Sequence, residues 1–166
     1  MYKLYHGTIY DFICVDLSKS LDKKDFGKGF YTTRDVNTAK QWASRHSRNG
    51  YYIYCIEVDI QFIRDHFIVK EFRHGRDWLD YIIKNRINPS KDIDCDLVIG
   101  PIADARTQIE LEKLNREYGN NIPLEVKDKV IKKLRETDYG IQYCFKSDRI
   151  AQYINTQCKW TRRAFR

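Results

Sequence analysis

The sequence predicts an α+β fold of split, mostly antiparallel β-sheets with flanking helices. Three observations carry this. Short β-favouring runs and helix-periodic runs interleave without the regular strand–helix–strand rhythm of a parallel sheet. No internal repeat, low-complexity tract or Pro/Gly-rich linker interrupts the chain, so residues 1–166 are read as one domain with one core. Hydrophobic residues make up 42% and charged residues 32%, a mixture too apolar for a disordered chain.

Residues 3–8 read as a first short strand that ends in His6-Gly7-Thr8. Residues 9–24 form a polar connection closing on Lys23-Lys24, followed by Asp25-Phe26-Gly27-Lys28-Gly29-Phe30-Tyr31-Thr32-Thr33, a glycine-punctuated loop that runs into β-favouring residues. Thr33 or Asp35 is placed to cap a helix whose Val36, Ala39, Trp42, Ala43 and His46 share one face, with Asn49-Gly50 ending it. Residues 51–60, aromatic and β-branched, give the clearest strand. Helical spacing returns at Trp78, Tyr81, Ile82 and Ile83, and residues 96–102 read as a buried strand closed by Gly100-Pro101. Helices are predicted over 105–118 and 124–136, a short strand over 141–145 and a last helix over 147–157. The basic tail, 158–166, interleaves Lys159, Arg162, Arg163 and Arg166 with Trp160 and Phe165. That composition suits contact with nucleic acid, and equally a disordered or partner-bound terminus.

Composition narrows the class. No run of about eighteen apolar residues exists to span a membrane, and the first residues lack the basic and apolar regions of a signal peptide, so a cytoplasmic protein is expected. Five cysteines, odd in number and without a C-x-x-C pair, argue against a disulfide framework or a metal site. The formal charge of +7 favours anionic partners without choosing among a nucleotide, a nucleic acid and an acidic protein.

Two segments in the first quarter carry the chemistry. Tyr5-His6-Gly7-Thr8 puts a histidine and a glycine at a strand end, and Gly27-Lys28-Gly29-Phe30-Tyr31 brings two glycines and a tyrosine to a strand start. Glycine lets a ligand approach the backbone and permits positive φ. Singly, each pattern is more often a turn or a hairpin entry with core aromatics; their order, followed by a helical Trp42, shifts that balance.

With these residues in view, the chain resembles the ADP-ribosyltransferase superfamily, in its His-Tyr-Glu branch with the poly-ADP-ribose polymerases and diphtheria-type toxins. Nearly the whole chain is similar to a small bacterial toxin-like family often encoded beside an antitoxin. That similarity rests on Tyr5-His6-Gly7-Thr8, the run from Asp25 to Thr33, Asp77-Trp78-Leu79-Asp80-Tyr81, the run from Asp96 to Asp104, and Gln142-Tyr143-Cys144-Phe145.

The resemblance implies NAD as substrate and transfer of its ADP-ribose to a macromolecular acceptor, protein or nucleic acid, with a cognate antitoxin as partner. His6 would donate a hydrogen bond to a ribose hydroxyl, Gly7 would offer its backbone to the nicotinamide amide, and Tyr31 and Trp42 would sandwich the nicotinamide ring. Thr8, Gly27, Gly29 and Thr32 would line the same site. At the position of the branch's glutamate stands Gln142, an amide that hydrogen-bonds a hydroxyl without carrying charge. The exchange disfavours chain-building polymerase activity and favours single transfer. Asp104, Asp25 and Arg106 are further candidates, the first two as supplementary acids and the last toward a phosphate. NAD hydrolysis without an acceptor, or a catalytically inactive module that binds RNA or a protein, are the alternatives.

Overall fold

The computed structural model describes residues 1–87, 89, 93–103, 105–135 and 139–166, with Ala105, Arg106 and Arg135 placed by their backbone. Six helices and seven strands form the described chain, in the order β1 (Tyr2–Thr8), β2 (Phe30–Thr33), α1 (Val36–Ser44), β3 (Tyr51–Val58), α2 (Ile60–His66), β4 (Val69–Glu71), α3 (Arg76–Ile87), β5 (Leu97–Pro101), α4 (Ala105–Tyr118), α5 (Leu124–Arg135), β6 (Ile141–Phe145), α6 (Asp148–Gln157) and β7 (Lys159–Phe165). The fold is α+β.

The strands lie in the order β4-β5-β6-β2-β1-β3-β7, antiparallel except for β4 beside β5. That parallel pair needs a crossover, which α3 supplies. One side of β1 is laddered to β3 from Tyr2 to Thr8, but its other side meets β2 at a single registered pair, Tyr5↔Thr33. The expected split is thus a pinch within one sheet, between β4-β5-β6-β2 and β1-β3-β7.

Because side chains alternate along a strand, the registers sort the residues by face. Tyr5, Gly7, Tyr31, Thr33, Gln142 and Cys144 share one face; Leu4, His6, Phe30, Thr32, Tyr143 and Phe145 share the other. On the second face a core of Leu4, Ile56, Leu97, Phe145, Ile150 and Ile154 is fully buried. On the first, Phe26, Tyr31 and Cys144 pack with residues of α3, α4 and α5, while Ala39 and Ala43 of α1 pack on Ile53.

Side-chain caps set the helix starts. Asp35 accepts from the N–H groups of Asn37 and Thr38 at the head of α1, Asp59 from those of Gln61 and Phe62 at α2, and Ser147 from that of Ile150 at α6. Each such cap contributes about 1 kcal/mol. Asp59 therefore ends the strand that the composition extended to residue 60, and starts a helix that apolar periodicity did not reveal.

Of the alternatives for the tail, the disordered terminus is set aside, because residues 159–165 form a strand. β7 pairs with β3 from Lys159↔Glu57 to Phe165↔Tyr51. Without it, β3 would present a row of unpaired backbone groups. The half-buried Trp160 donates its indole N–H to Ile154 O at 3.0 Å, and the Phe165 and Tyr51 rings stack with centroids 4.9 Å apart. All five cysteines are free thiols, and no helix among the described residues is long and apolar enough to cross a membrane.

Candidate functional site at the strand split

Beyond Tyr5↔Thr33 the ladder between β1 and β2 is not continued, and a side chain takes its place. His6 Nδ1 lies 2.7 Å from the carbonyl oxygen of Tyr31. A carbonyl only accepts, so Nδ1 carries the proton and Nε2 keeps its lone pair. Toward a ribose hydroxyl, a neutral His6 can therefore only accept; the direction expected from the sequence is reversed.

The His6 ring packs in a triangle with Phe30, centroids 4.3 Å apart, and Phe12, at 5.8 Å, the two phenylalanines being 6.0 Å from each other. Burial in this aromatic surround lowers its pKa to about 4, against the hydrogen bond to Tyr31 O that raises it, with the Lys24 charge lowering it further. The sign of the linkage follows. The unfolded chain takes up the proton at the ordinary histidine value, about 6.5, and the folded chain only near pH 4. Stability is expected to fall as pH drops through that window, by roughly 1.4 kcal/mol per pH unit, and to be free of this slope above it. Urea unfolding of wild type and His6→Phe between pH 7 and 4 checks this: the variant should lose the His6 part of the slope.

Tyr31 is fixed by its own loop. Its hydroxyl donates to Gly27 O at 2.7 Å and accepts the Phe26 N–H at 2.9 Å. Burial raises its pKa well above the ordinary value. Gly27 adopts φ +79°, and a side chain there would meet Asn85 Oδ1 at 2.6 Å, so both conformation and space demand glycine. Ser20 Oγ bonds both the N–H and the C=O of Gly29, and the buried Lys146 donates to Phe26 O at 2.6 Å. The Lys24 ammonium stands 5.2 Å from the centroid of the Tyr31 ring, its pKa lowered by burial. Trp42 is half-buried on α1, and its indole stacks on no aromatic ring among the described residues.

Gln142 is 3% exposed and belongs to a buried polar hub. Its Nε2 donates to Asp25 Oδ2 at 2.6 Å and to Pro101 O at 3.3 Å. Asp25 also accepts the Ala103 N–H at 2.9 Å, and its Oδ1 accepts from Arg86 through Nε at 2.9 Å and through Nη2. Arg86 further donates to Gln108 Oε1 and Ala103 O. Gln142 is thus a partnered core residue, and the supplementary acid Asp25 is the group that joins it to Arg86.

Gly7, Tyr31 and Gln142 therefore share a sheet face, and His6 reaches the split from the other. Thr8 accepts from the Tyr10 N–H in a local turn, and Thr32 is buried on the opposite face with Phe30. Asp104 lies outside the described residues, and Arg106 is placed only as part of α4. Sequence reasoning passed over Lys24, Phe12, Phe30 and Arg86. The Lys23-Lys24 pair and Phe30 gave a local signal, beside and within the glycine loop; Phe12 and Arg86 are brought in by the fold.

Two surface depressions lie elsewhere, along residues 71–77 and at Gly75, Arg76, Asp128, Ile131 and Lys132. Among the described residues, no group of three or more His, Cys, Asp or Glu is arranged to hold a metal ion.

Residues 2–156 match the family model described as "Protein of unknown function (DUF3990)", and with nearly the whole chain covered, the protein belongs to that family. No curated protein and no solved structure matches the chain.

Proposed function

For this member of the DUF3990 family we propose NAD-dependent mono-ADP-ribosyl transfer, with the nicotinamide half of NAD bound at the split between β1 and β2. In the reaction the bond from nicotinamide to ribose C1′ breaks, the acceptor's nucleophile bonds C1′, and nicotinamide and a proton are released. The observation that carries this reading is the bridged break in the ladder. Beyond one strand pair, the continuing hydrogen bond is made by the His6 ring to Tyr31 O, with the lone pair left on Nε2.

Two features support it. The Tyr31 ring face already accommodates a cation, the Lys24 ammonium, and the nicotinamide ring of NAD is also cationic, so the same quadrupole attracts it. Gln142 stands on the Tyr31 face with its amide held in place, as a residue orienting the ribose 2′-OH against a developing oxocarbenium charge must be. Trp42 closes the slot when the Lys24 loop withdraws, the acceptor is a macromolecule, and a cognate antitoxin neutralises the activity in a bacterial cytoplasm.

The test is nicotinamide release from NAD labelled in its adenylate half, with protease or nuclease treatment to show which acceptor holds the label. His6→Phe keeps the aromatic packing and removes both ring nitrogens; it is expected to lower turnover by about tenfold or more. Release without labelled acceptor makes the protein an NAD hydrolase. Absence of release, with no NAD-dependent change in melting temperature, overturns the proposal. The burial of Gln142 and the covered Tyr31 face favour a second reading, a catalytically inactive module that binds RNA or a protein, and that last outcome selects it.

A further inference from the structure

The Gln142 amide has a determined orientation. Its NH2 group faces Asp25 Oδ2 at 2.6 Å and Pro101 O at 3.3 Å. Neither partner has a proton to give: one is a carbonyl, the other a carboxylate paired with Arg86. Turning the amide over would set its oxygen against both acceptors, so Oε1 is committed to the other side. Asp25 is itself immobilised by Arg86 and by the Ala103 N–H. It also opens the loop that carries Gly27 and ends at Tyr31, so the element presenting the tyrosine holds the amide as well.

We infer that Asp25 is a positioning residue for the transfer reaction, which locks Gln142 with Oε1 turned away from Asp25 and Pro101 O, the side from which it would accept from the ribose 2′-OH, and sets a negative charge behind the amide. This rests on the NAD reading above. The Asp25–Gln142 pair then divides between two residues what a single glutamate combines, an acceptor oxygen and a negative charge. Gln142 makes the contact with substrate, and Asp25 acts only through it.

A charge-conserving exchange separates this from a purely structural role. Gln142→Glu alone sets two carboxylates at hydrogen-bond distance, where both cannot stay ionised. Asp25→Asn alone removes the charge and leaves Arg86 without its counter-ion. Together, Asp25→Asn and Gln142→Glu return one carboxylate, one amide and one guanidinium to the hub, but they turn a carboxylate oxygen onto Pro101 O and an amide NH2 onto the Ala103 N–H. Steady-state NAD cleavage by the full chain is measured for wild type, both single variants and the double, with thermal unfolding of each. Each single is expected to lose about tenfold or more in kcat with a smaller change in KM, and the double to regain only part of that loss, the charge being restored and the contacts with Pro101 O and the Ala103 N–H not.

A second readout is the side-chain NH2 signal of Gln142 in a 1H–15N spectrum. It is expected to exchange slowly with solvent in wild type and to lose that protection in Asp25→Asn. Wild-type kcat in folded Asp25→Asn overturns the inference while leaving the NAD reading intact. Absence of nicotinamide release by wild type overturns both, and the spectrum then reports whether the amide is locked at all.

Discussion

Gly7→Ala is expected to destabilise the fold by roughly 3 kcal/mol or more, at or beyond the upper end of ordinary overpacking. A Cβ at residue 7 would overlap the carbonyl oxygen of Ala39, stand 2.7 Å from its carbon and lie 3.2 Å from Ala43 Cβ. The first two are backbone atoms in the middle of α1, so no rotamer change relieves them. The helix comes this close because Ala39 and Ala43, 0% and 2% exposed, are the residues it lays on the strand. Moving it out would uncover that seam and its packing on Ile53 and Tyr5. Urea unfolding measures the loss. Ala43→Gly should rescue little, because it removes only the lesser contact. A loss under about 1 kcal/mol would mean that α1 lifts freely from the sheet, a motion that would also open the split. The need for glycine here is therefore set by helix packing, whatever the backbone of residue 7 does for a ligand.

Much of the fold was legible because the relevant signals are local. The spacing of Val126, Val130, Ile131 and Leu134 placed α5, and the run Leu97-Val98-Ile99 before Gly100-Pro101 placed β5, each to within two residues. What escaped depended on distant partners. β4 has three residues and exists by pairing with β5. β7 reads as a basic tail because an edge strand carries its cations into solvent, and only the open side of β3 makes it a strand.

The candidate site divides in the same way. Gly27 was legible as a turn, and its φ of +79° bears that out. The hydrogen-bond direction at His6 was not, because it depends on which atom of β2 meets Nδ1. Gln142 was legible only as the residue at the glutamate position; its hub was not, since neither Asp25 nor Arg86 is near it in sequence. A buried amide takes its meaning from such partners, and 117 positions separate Asp25 from Gln142.

Arg86→Ala is expected to cost about 3–5 kcal/mol, the range for removing one member of a buried ion pair. The Arg86 and Asp25 side chains are 11% and 8% exposed, so the stranded carboxylate would find little water. More than charge is lost. The guanidinium joins Asp25 of the glycine loop, Ala103 O after β5 and Gln108 of α4, a three-way contact that suits a planar fork. Arg86→Lys keeps the charge but concentrates it at one point, and should fall between wild type and Arg86→Ala. Arg86→Met combined with Asp25→Asn removes both charges, and should recover much of the stability that Arg86→Met alone loses, since an uncompensated buried charge is the main cost. Chemical denaturation of the four variants gives the order directly. Were Arg86→Ala to unfold with wild type, water would have to reach Asp25 readily. The carboxylate could then turn away from Gln142, and the amide's orientation would no longer be fixed by the loop that presents Tyr31.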